Sequence, residues 1–269
     1  MRELTIAVAQ AASFPGCVDR NLDRLHSLAQ ECAEKEAGLL CLPEAFLTGY
    51  DRHAASEMAL DAGDPRLEAA EAIACTTGVA LSYGYIERNP RGGAPFVTHV
   101  VTDGTDRLVY RKTHLGPHEE GFFCVGDQLP VETVAGVRIG VHLCWESHIP
   151  QIAATLRHRG AELLIVPFAS GLGGRQRRES WMRFLPARAS DNGCYLATCN
   201  ALRPSDDGGA FTGGGAIVFD TKGVVLAEVF SNEESLITTA ITGPLPRELA
   251  VERMGTLSYF DHQRPELYA

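Results

Sequence analysis

At 269 residues, 45% apolar and 22% charged, the chain has an ordinary globular balance and is long enough to bury a substantial core, as one large domain or two small ones. A formal charge of −10 argues against nucleic acid and anionic membranes as main partners, because both reward basic surfaces. The opening MRELTIAVAQ reads as a strand rather than a signal peptide, no apolar run approaches the roughly 20 residues of a spanning helix, and the eight cysteines contain no CxxC pair, so the expectation is a cytoplasmic protein with reduced thiols.

In chain order, LTIAVAQ is strand-like. VDRNLDRLHSLAQECAEKEAG then carries Leu22, Leu25, Leu28 and Ala29 at helical spacing and is stopped by Gly38. LLCLPE is a short, continuously apolar run, as expected of a strand covered on both faces. A helix over 65–77 precedes three strands, VALSYGYIER, FVTHVVTD and LVYRKTHL. A similar order recurs: VRIGVHLC as a strand, 149–159 as a helix, AELLIVPF as a strand, one long helix over about 176–192, then CYLATCNAL, the hairpin GAIVFDTKGVVLAEV, and LITTAIT. Each half reads β-α-β-α-β-β, which predicts an α/β protein of two sheets facing each other with helices outside. Gly- and Pro-rich spots are short and turn-like, so residues 1–269 read as a single domain, with 243–269 left over as a tail that needs covering.

Three residues share a type of location. Glu44 ends LLCLPE, Lys112 lies in VYRKTHL, and Cys144 ends RIGVHLC, with Glu44 and Cys144 read as equivalent points of the two halves. Catalytic groups commonly sit where a rigid strand hands over to a loop. A thiol nucleophile needs a base, and a carboxylate within hydrogen-bond reach serves. A carboxylate alone raises the thiol pKa; a nearby ammonium offsets that rise and stabilises an oxyanion as well. Plain structural uses compete with this reading. Cysteine is among the most buried residue types, Glu44 can cap a helix or loop, and Lys112 can guard a sheet edge. Spacing alone leaves both readings open.

Weaker signals point elsewhere. His142, Cys144 and His148 suggest a metal cluster or a Cys–His dyad, yet no second thiolate lies at zinc spacing and a dyad leaves Glu44 and Lys112 idle. His114 and His118 are separated by Gly116-Pro117, which breaks any helix that would align them. SGLGGRQRRES lacks the residue order of a phosphate loop and reads as a pocket loop followed by a helix with solvated arginines; Arg175, Arg177 and Arg178 are candidates to grip a substrate carboxylate.

LPEAFLTGY, YRKTHL followed by EEGFFCVGD, and GVHLCWES resemble, in order and spacing, the three signature segments of the carbon–nitrogen hydrolase (nitrilase) superfamily. AELLIVP, ARASDNGCYLATCN, FTGGGAIVFDTKGVVLAE and RPELY extend the resemblance nearly end to end. It implies a four-layer αββα sandwich of two pseudo-symmetric halves, without cofactor or metal. Residue by residue, it implies Glu44 as general base, Lys112 as its lysine and Cys144 as nucleophile. It also implies Glu119, seven residues past Lys112 and seven before Gly126, as a second glutamate, and the Trp145 N–H as an oxyanion donor beside Lys112. Trp145, Glu146, Phe168 and Ala169 are the expected substrate contacts. The implied activity is hydrolysis of non-peptide C–N bonds in a small amide or N-carbamoyl compound through a thioester acyl-enzyme. The implied assembly is a homodimer or higher homo-oligomer with 243–269 at the interface. Val125 stands where proline is common, and Gln151 where many amidases have glutamate, while CWES leans toward true nitrilases. The alternatives are therefore a nitrilase using the same residues, or a silent scaffold, against which the intact set Glu44, Lys112, Cys144 and Glu119 argues.

Overall fold

Long apolar runs become the strands of two mixed sheets. The structure, a computed structural model, describes residues 3–203 and 212–242 together with Arg264 and Leu267. In the first sheet β1 (Leu4–Gln10), β2 (Leu39–Cys41) and β3 (Ala80–Glu87) run parallel, and β4 (Phe96–Thr102) and β5 (Arg107–Arg111) extend it antiparallel. In the second, β6 (Val131–Val134) lies antiparallel to β7 (Val137–Val141), which runs parallel to β8 (Leu163–Phe168) and so to β9 (Tyr195–Asn200). A two-residue ladder of β10 (Leu202–Arg203) with β11 (Thr212–Gly213) follows, and the hairpin β12 (Ala216–Phe219) and β13 (Val225–Val229) completes this sheet. β14 (Ser235–Ile241) then crosses to the first sheet and pairs antiparallel with β1, Leu4 opposite Ile241 and Gln10 opposite Ser235. The orders β14-β1-β2-β3-β4-β5 and β6-β7-β8-β9-β12-β13 are one arrangement made twice.

Parallel neighbours need crossovers, and helices supply them. These are α1 (Val18–Glu34) between β1 and β2, the short α2 (Ala55–Met58) and α3 (Pro65–Thr77) between β2 and β3, α4 (Pro150–His158) between β7 and β8, and α5 (Gly174–Trp181) with α6 (Leu185–Ser190) between β8 and β9. Local signals explain α3 well. The Asp64 carboxylate accepts from Arg66 N–H at the N-cap, Pro65 occupies the first turn, and Gly78 ends the helix in the left-handed region at φ 67°. In α1, Leu25, Leu28, Ala29 and Cys32 form the buried stripe.

Side chains alternate between the faces of each strand and create three apolar layers. Ile6, Val8, Leu39 and Cys41 meet Val137, Ile139, Val141, Leu163 and Ile165 between the sheets. Ala7, Ala9, Leu40 and Leu81 face Leu25, Leu28, Leu67 and Ala70 of α1 and α3. Leu164, Val166 and Leu196 face Ile152, Leu156, Trp181 and Leu185 of α4 to α6. This is the expected αββα sandwich, with both faces of the central strands covered.

The structure departs from the sequence reading in several places. The single helix over 176–192 is two helices, because Pro186 lacks an N–H and its ring cannot follow a preceding helical turn; Phe184, at φ −142°, makes the break. VRIGVHLC leaves the strand at Val141, and only His142 N–H continues the ladder, to Ile165 O at 3.2 Å. VETV forms an unforeseen strand, β6, which occupies in the second sheet the place β14 takes in the first. Glu44 and Cys144 are not equivalent points: Glu44 follows β2, whose counterpart is β8, whereas Cys144 follows β7, the counterpart of β1. The tail at 243–269 lies outside the described residues apart from Arg264 and Leu267.

Candidate active site

Glu44, Lys112 and Cys144 stand just beyond the ends of β2, β5 and β7, on the loops those strands hand over to. Pro43 turns the chain after β2, and Glu44 N–H reaches across to Phe168 O of the other sheet at 3.4 Å. Ala45, at φ 52°, completes the turn. It packs so tightly on β3 that a Cβ at Gly84 would collide with the Ala45 nitrogen. Lys112 is anchored on both sides, its N–H donating to Val97 O at 2.9 Å and its carbonyl accepting from Gly126 N–H at 2.8 Å. Cys144 opens a 3-10 turn, Cys144–His148, and holds φ 43°, a left-handed conformation that is costly for a residue with a side chain. In such a turn the first two N–H groups, those of Cys144 and Trp145, have no acceptor within the helix.

Lys112 is the hub of the site. Its Nζ donates to Glu44 Oε1 at 2.8 Å and to Glu119 Oε1 at 2.7 Å, and all three side chains are buried. Glu119 is itself held: Tyr50 O–H donates to Oε1 at 2.6 Å, and Gly116 N–H donates to Oε2 at 2.6 Å. Burial works against the Lys112 charge, but Glu44, Cys144 and Glu119 outweigh it and keep the ammonium above its ordinary range. Burial also opposes ionisation of Glu119; Lys112, Tyr50 and the Gly116 N–H overcome this and hold its carboxyl below the usual range. Glu44 has fewer donors, so burial prevails over Lys112 and pushes it up to about 7. Burial and the Glu44 charge push the Cys144 thiol up to about 12 against the pull of Lys112.

These shifts describe a resting thiol beside a carboxyl poised near neutrality. Nucleophilic attack then has to be coupled to proton transfer, since a free thiolate is scarce. The buried ammonium is a preorganised donor for an oxyanion.

The remaining expected contacts divide. Trp145 is 42% exposed, and its ring lies against the Gly116 turn and the His148 ring, whose centroid is 5.6 Å away. Glu146 is fully buried, and both of its carboxylate oxygens are taken by protein groups. Its Oε2 accepts from Leu143 N–H at 2.6 Å, and its Oε1 accepts from Tyr110 O–H at 2.6 Å, Thr113 N–H and O–H at 2.8 Å, and His114 N–H at 3.0 Å. The Phe168 ring packs in the helix layer, 5.0 Å from the Trp181 ring, and its carbonyl accepts from Glu44 N–H. Ala169 is buried, and its carbonyl accepts from Arg203 Nη2 at 2.7 Å.

Of the three arginines after Gly173, Arg175 and Arg178 pair with Glu179 and Glu228 on the surface. Arg177 is not solvated: it is 5% exposed, donates to Ser170 Oγ and Leu172 O, and lies over the rings of Phe168 and Trp181. His142 is fully buried with burial holding it down to about 3, so it carries no charge to activate Cys144. The His148 ring lies 4.3 Å from the Phe184 ring, tilted 47° to it.

The carbon-nitrogen hydrolase family model matches residues 5–249. The chain belongs to that family. Among relatives of this carbon–nitrogen hydrolase, a hydrolase from the pqqF 5' region of Pseudomonas protegens is 32% identical over 100% of this chain and 92% of its own length. An (R)-stereoselective amidase from Pseudomonas sp. is 30% identical over 86% of this chain and 82% of its own. The fold matches a mutant amidase from Nesterenkonia sp. AN1 in complex with acrylamide, with a TM-score of 0.80 and 26% identity, covering 99% of this chain and 96% of that one. Another structure of that amidase shows covalent addition of the acetamide moiety of fluoroacetamide at the active-site cysteine. The protein is thus an enzyme of the carbon–nitrogen hydrolase class, and no described helix is long and apolar enough to cross a membrane.

Sequence reasoning missed Tyr50, Tyr110 and Thr113. Tyr50 closes the segment LPEAFLTGY and Thr113 follows Lys112 directly, so proximity to the signature residues was the available signal. Tyr110 opens the segment YRKTHL and carried the same signal, whereas nothing local marks the burial of Arg177.

Proposed function

We propose that this carbon–nitrogen hydrolase cleaves small amides, N-carbamoyl compounds included, through a thioester on Cys144. The Cys144 thiol attacks the carbonyl carbon as its proton passes to Glu44. The oxyanion of the tetrahedral adduct is met by the Lys112 ammonium and the Trp145 N–H. Glu44 returns the proton to the departing nitrogen, and ammonia or an amine leaves. Water then attacks the thioester, giving a proton to Glu44, and the acid departs as the thiol takes that proton back. Glu119 holds Lys112 in place and orients the water step.

The observation that carries this reading is the buried Lys112 bridging Glu44 and Glu119, with all three acting on the charge of Cys144. The active-site cysteine of the Nesterenkonia amidase, which takes up the acetamide moiety of fluoroacetamide covalently, supports a nucleophilic thiol, and relatives named (R)-stereoselective amidase and N-carbamoylputrescine amidase support the substrate class. A screen for ammonia release over amides, ureido compounds and nitriles tests it, with Cys144→Ala as control. Intact-protein mass spectrometry should show an acyl adduct with a slow substrate in the wild type and none in the variant. Undiminished turnover by Cys144→Ala ends the proposal.

We also infer a cytoplasmic homodimer, or a higher homo-oligomer, of single-domain subunits joined through 243–269. The apolar content of ELAVERMGTLSYF and RPELY supports it. A compact monomer in sedimentation at micromolar concentration refutes it.

A further inference from the structure

Beside the catalytic network lies a cavity of about 500 Å³, formed where the loops after β1, β2 and β9 converge; Ser13, Tyr50, Asp51, Arg52, His53 and Arg203 line it. Its wall is one hydroxyl from the hub of the site, because Tyr50 O–H donates to the same Glu119 oxygen that holds Lys112. Arg203 is half-buried, with its guanidinium carbon 5.7 Å from the Tyr50 ring centroid and Nη2 on the Ala169 carbonyl at 2.7 Å. Arg52 lies 5.8 Å over the Phe122 ring and donates to His53 Nε2 at 3.3 Å.

The Tyr50 ring and the Ala169 carbonyl aim Arg203, the Phe122 and His53 rings aim Arg52, and among the described residues neither guanidinium has a carboxylate partner. Arg24 and Arg111, by contrast, are closed onto Glu234 and Glu87. Asp51 is the one carboxylate among the described lining residues, and its Oδ1 already accepts from His53 N–H at 2.9 Å. Among the described lining residues positive charge therefore outweighs negative, in a pocket that partly excludes water, where an anion gains and a cation loses. Planar guanidiniums suit carboxylates in particular.

We propose that this cavity receives the acyl end of the substrate and that this end carries a carboxylate, so that the enzyme acts on short primary amides of the half-amide dicarboxylate type, gripped by Arg203 with help from Arg52. The proposal rests on the amidase reading above. It excludes as good substrates both plain aliphatic amides, which leave the guanidinium desolvated, and amides with a cationic tail.

Three four-carbon amides decide it: succinamate, butyramide and 4-aminobutyramide, compared by kcat/KM for ammonia release. A charge-assisted hydrogen bond predicts that succinamate is preferred over butyramide by about ten- to a hundredfold, with the cation last. Arg203→Gln should bring the succinamate-to-butyramide ratio toward one, and Arg52→Gln should lower it less. Should the Arg203 variant not fold, succinate should inhibit wild-type turnover of butyramide more tightly than butyrate does. Equal or better use of butyramide or the cation overturns the proposal and leaves the amidase reading standing. It would mean that the charge of Arg203 is met within the protein, where Asp206 and Asp207 follow in sequence outside the described residues. Where none of the three is turned over, the wider ammonia-release screen judges the amidase reading, and calorimetry of succinate against butyrate still decides the pocket's preference, with equal binding of the two overturning it.

Discussion

Thr113 gives both its N–H and its hydroxyl to one oxygen of Glu146, each at 2.8 Å, while the other oxygen of that carboxylate takes the N–H of Leu143. One buried side chain thereby ties the residue after Lys112 to the residue before Cys144, holding the oxyanion donor and the nucleophile in fixed relation. Glu146→Gln puts an amide donor among donors. It should cost about 2–3 kcal/mol of stability, the penalty of leaving buried hydrogen-bonding groups unmatched. It should also lower kcat more than it raises KM. Urea denaturation and steady-state kinetics check both, and a variant with changed KM and intact kcat would return Glu146 to the list of substrate contacts.

The protonation of Glu44 sets the pH response. A carboxyl raised to about 7 by burial is a base only above that pH, so kcat/KM should fall about tenfold per pH unit on the acid side. Glu44→Gln should be nearly inactive and lose that limb. The same shift bears on stability. A group that binds protons more tightly when folded adds stability that is full below its ordinary 4.5 and is lost as pH rises to about 7. Glu44→Gln should therefore be more stable relative to wild type at pH 8 than at pH 5, read as Tm. A flat wild-type rate profile between pH 5.5 and 8 removes Glu44 from the role of base.

Gly84 and Ala45 make a close backbone approach next to the base. A Cβ at Gly84 would strike the Ala45 nitrogen and stand 3.1 Å from both its Cα and His99 Nδ1, with no flexible side-chain end free to yield on the Ala45 side. Gly84→Ala should cost about 1–3 kcal/mol, as overpacking does. Because Ala45 follows Glu44, activity should fall further than the loss of folded protein explains. Gly63→Ala, where an added Cβ meets nothing within 4 Å, is the control. Equal activity per folded molecule in the two variants would show that the turn absorbs the change.

The two-sheet architecture was legible because each central strand is covered on both faces and so reads as an unbroken apolar run, as in LLIVPF. Glu44, Lys112 and Cys144 were legible because strand ends and signature segments coincide there. What escaped notice depends on distance in the chain. Glu146 sits beside Trp145 and so invites a role in the pocket, yet its partners Tyr110 and Thr113 lie more than 30 residues away. Arg177 reads as one solvated arginine among three until α5 turns it under Phe168. The placement of β14 beside β1 also has no local signature, since LITTAIT fits the edge of either sheet. The break before α6 did have one, Pro186, and a run of helix formers outweighed it.

Amides rather than nitriles should be the preferred substrates. Both begin with attack by Cys144 and both can use Glu44 and Lys112. A nitrile first gives a thioimidate, which must take up water and lose ammonia before the thioester is reached. An amide gives an oxyanion at the first step, where the buried Lys112 ammonium, already held by two carboxylates, meets it without reorganisation. Matched pairs test this, an amide and the nitrile of the same acyl group compared by kcat/KM, with the amide expected to lead by at least about tenfold, roughly 1.4 kcal/mol of transition-state stabilisation. In each pair Cys144→Ser should be nearly inactive, because a hydroxyl beside a carboxylate base is a far weaker nucleophile than a thiol. Efficient hydrolysis of the nitrile with the amide untouched reverses the substrate assignment and leaves the catalytic residues as they stand.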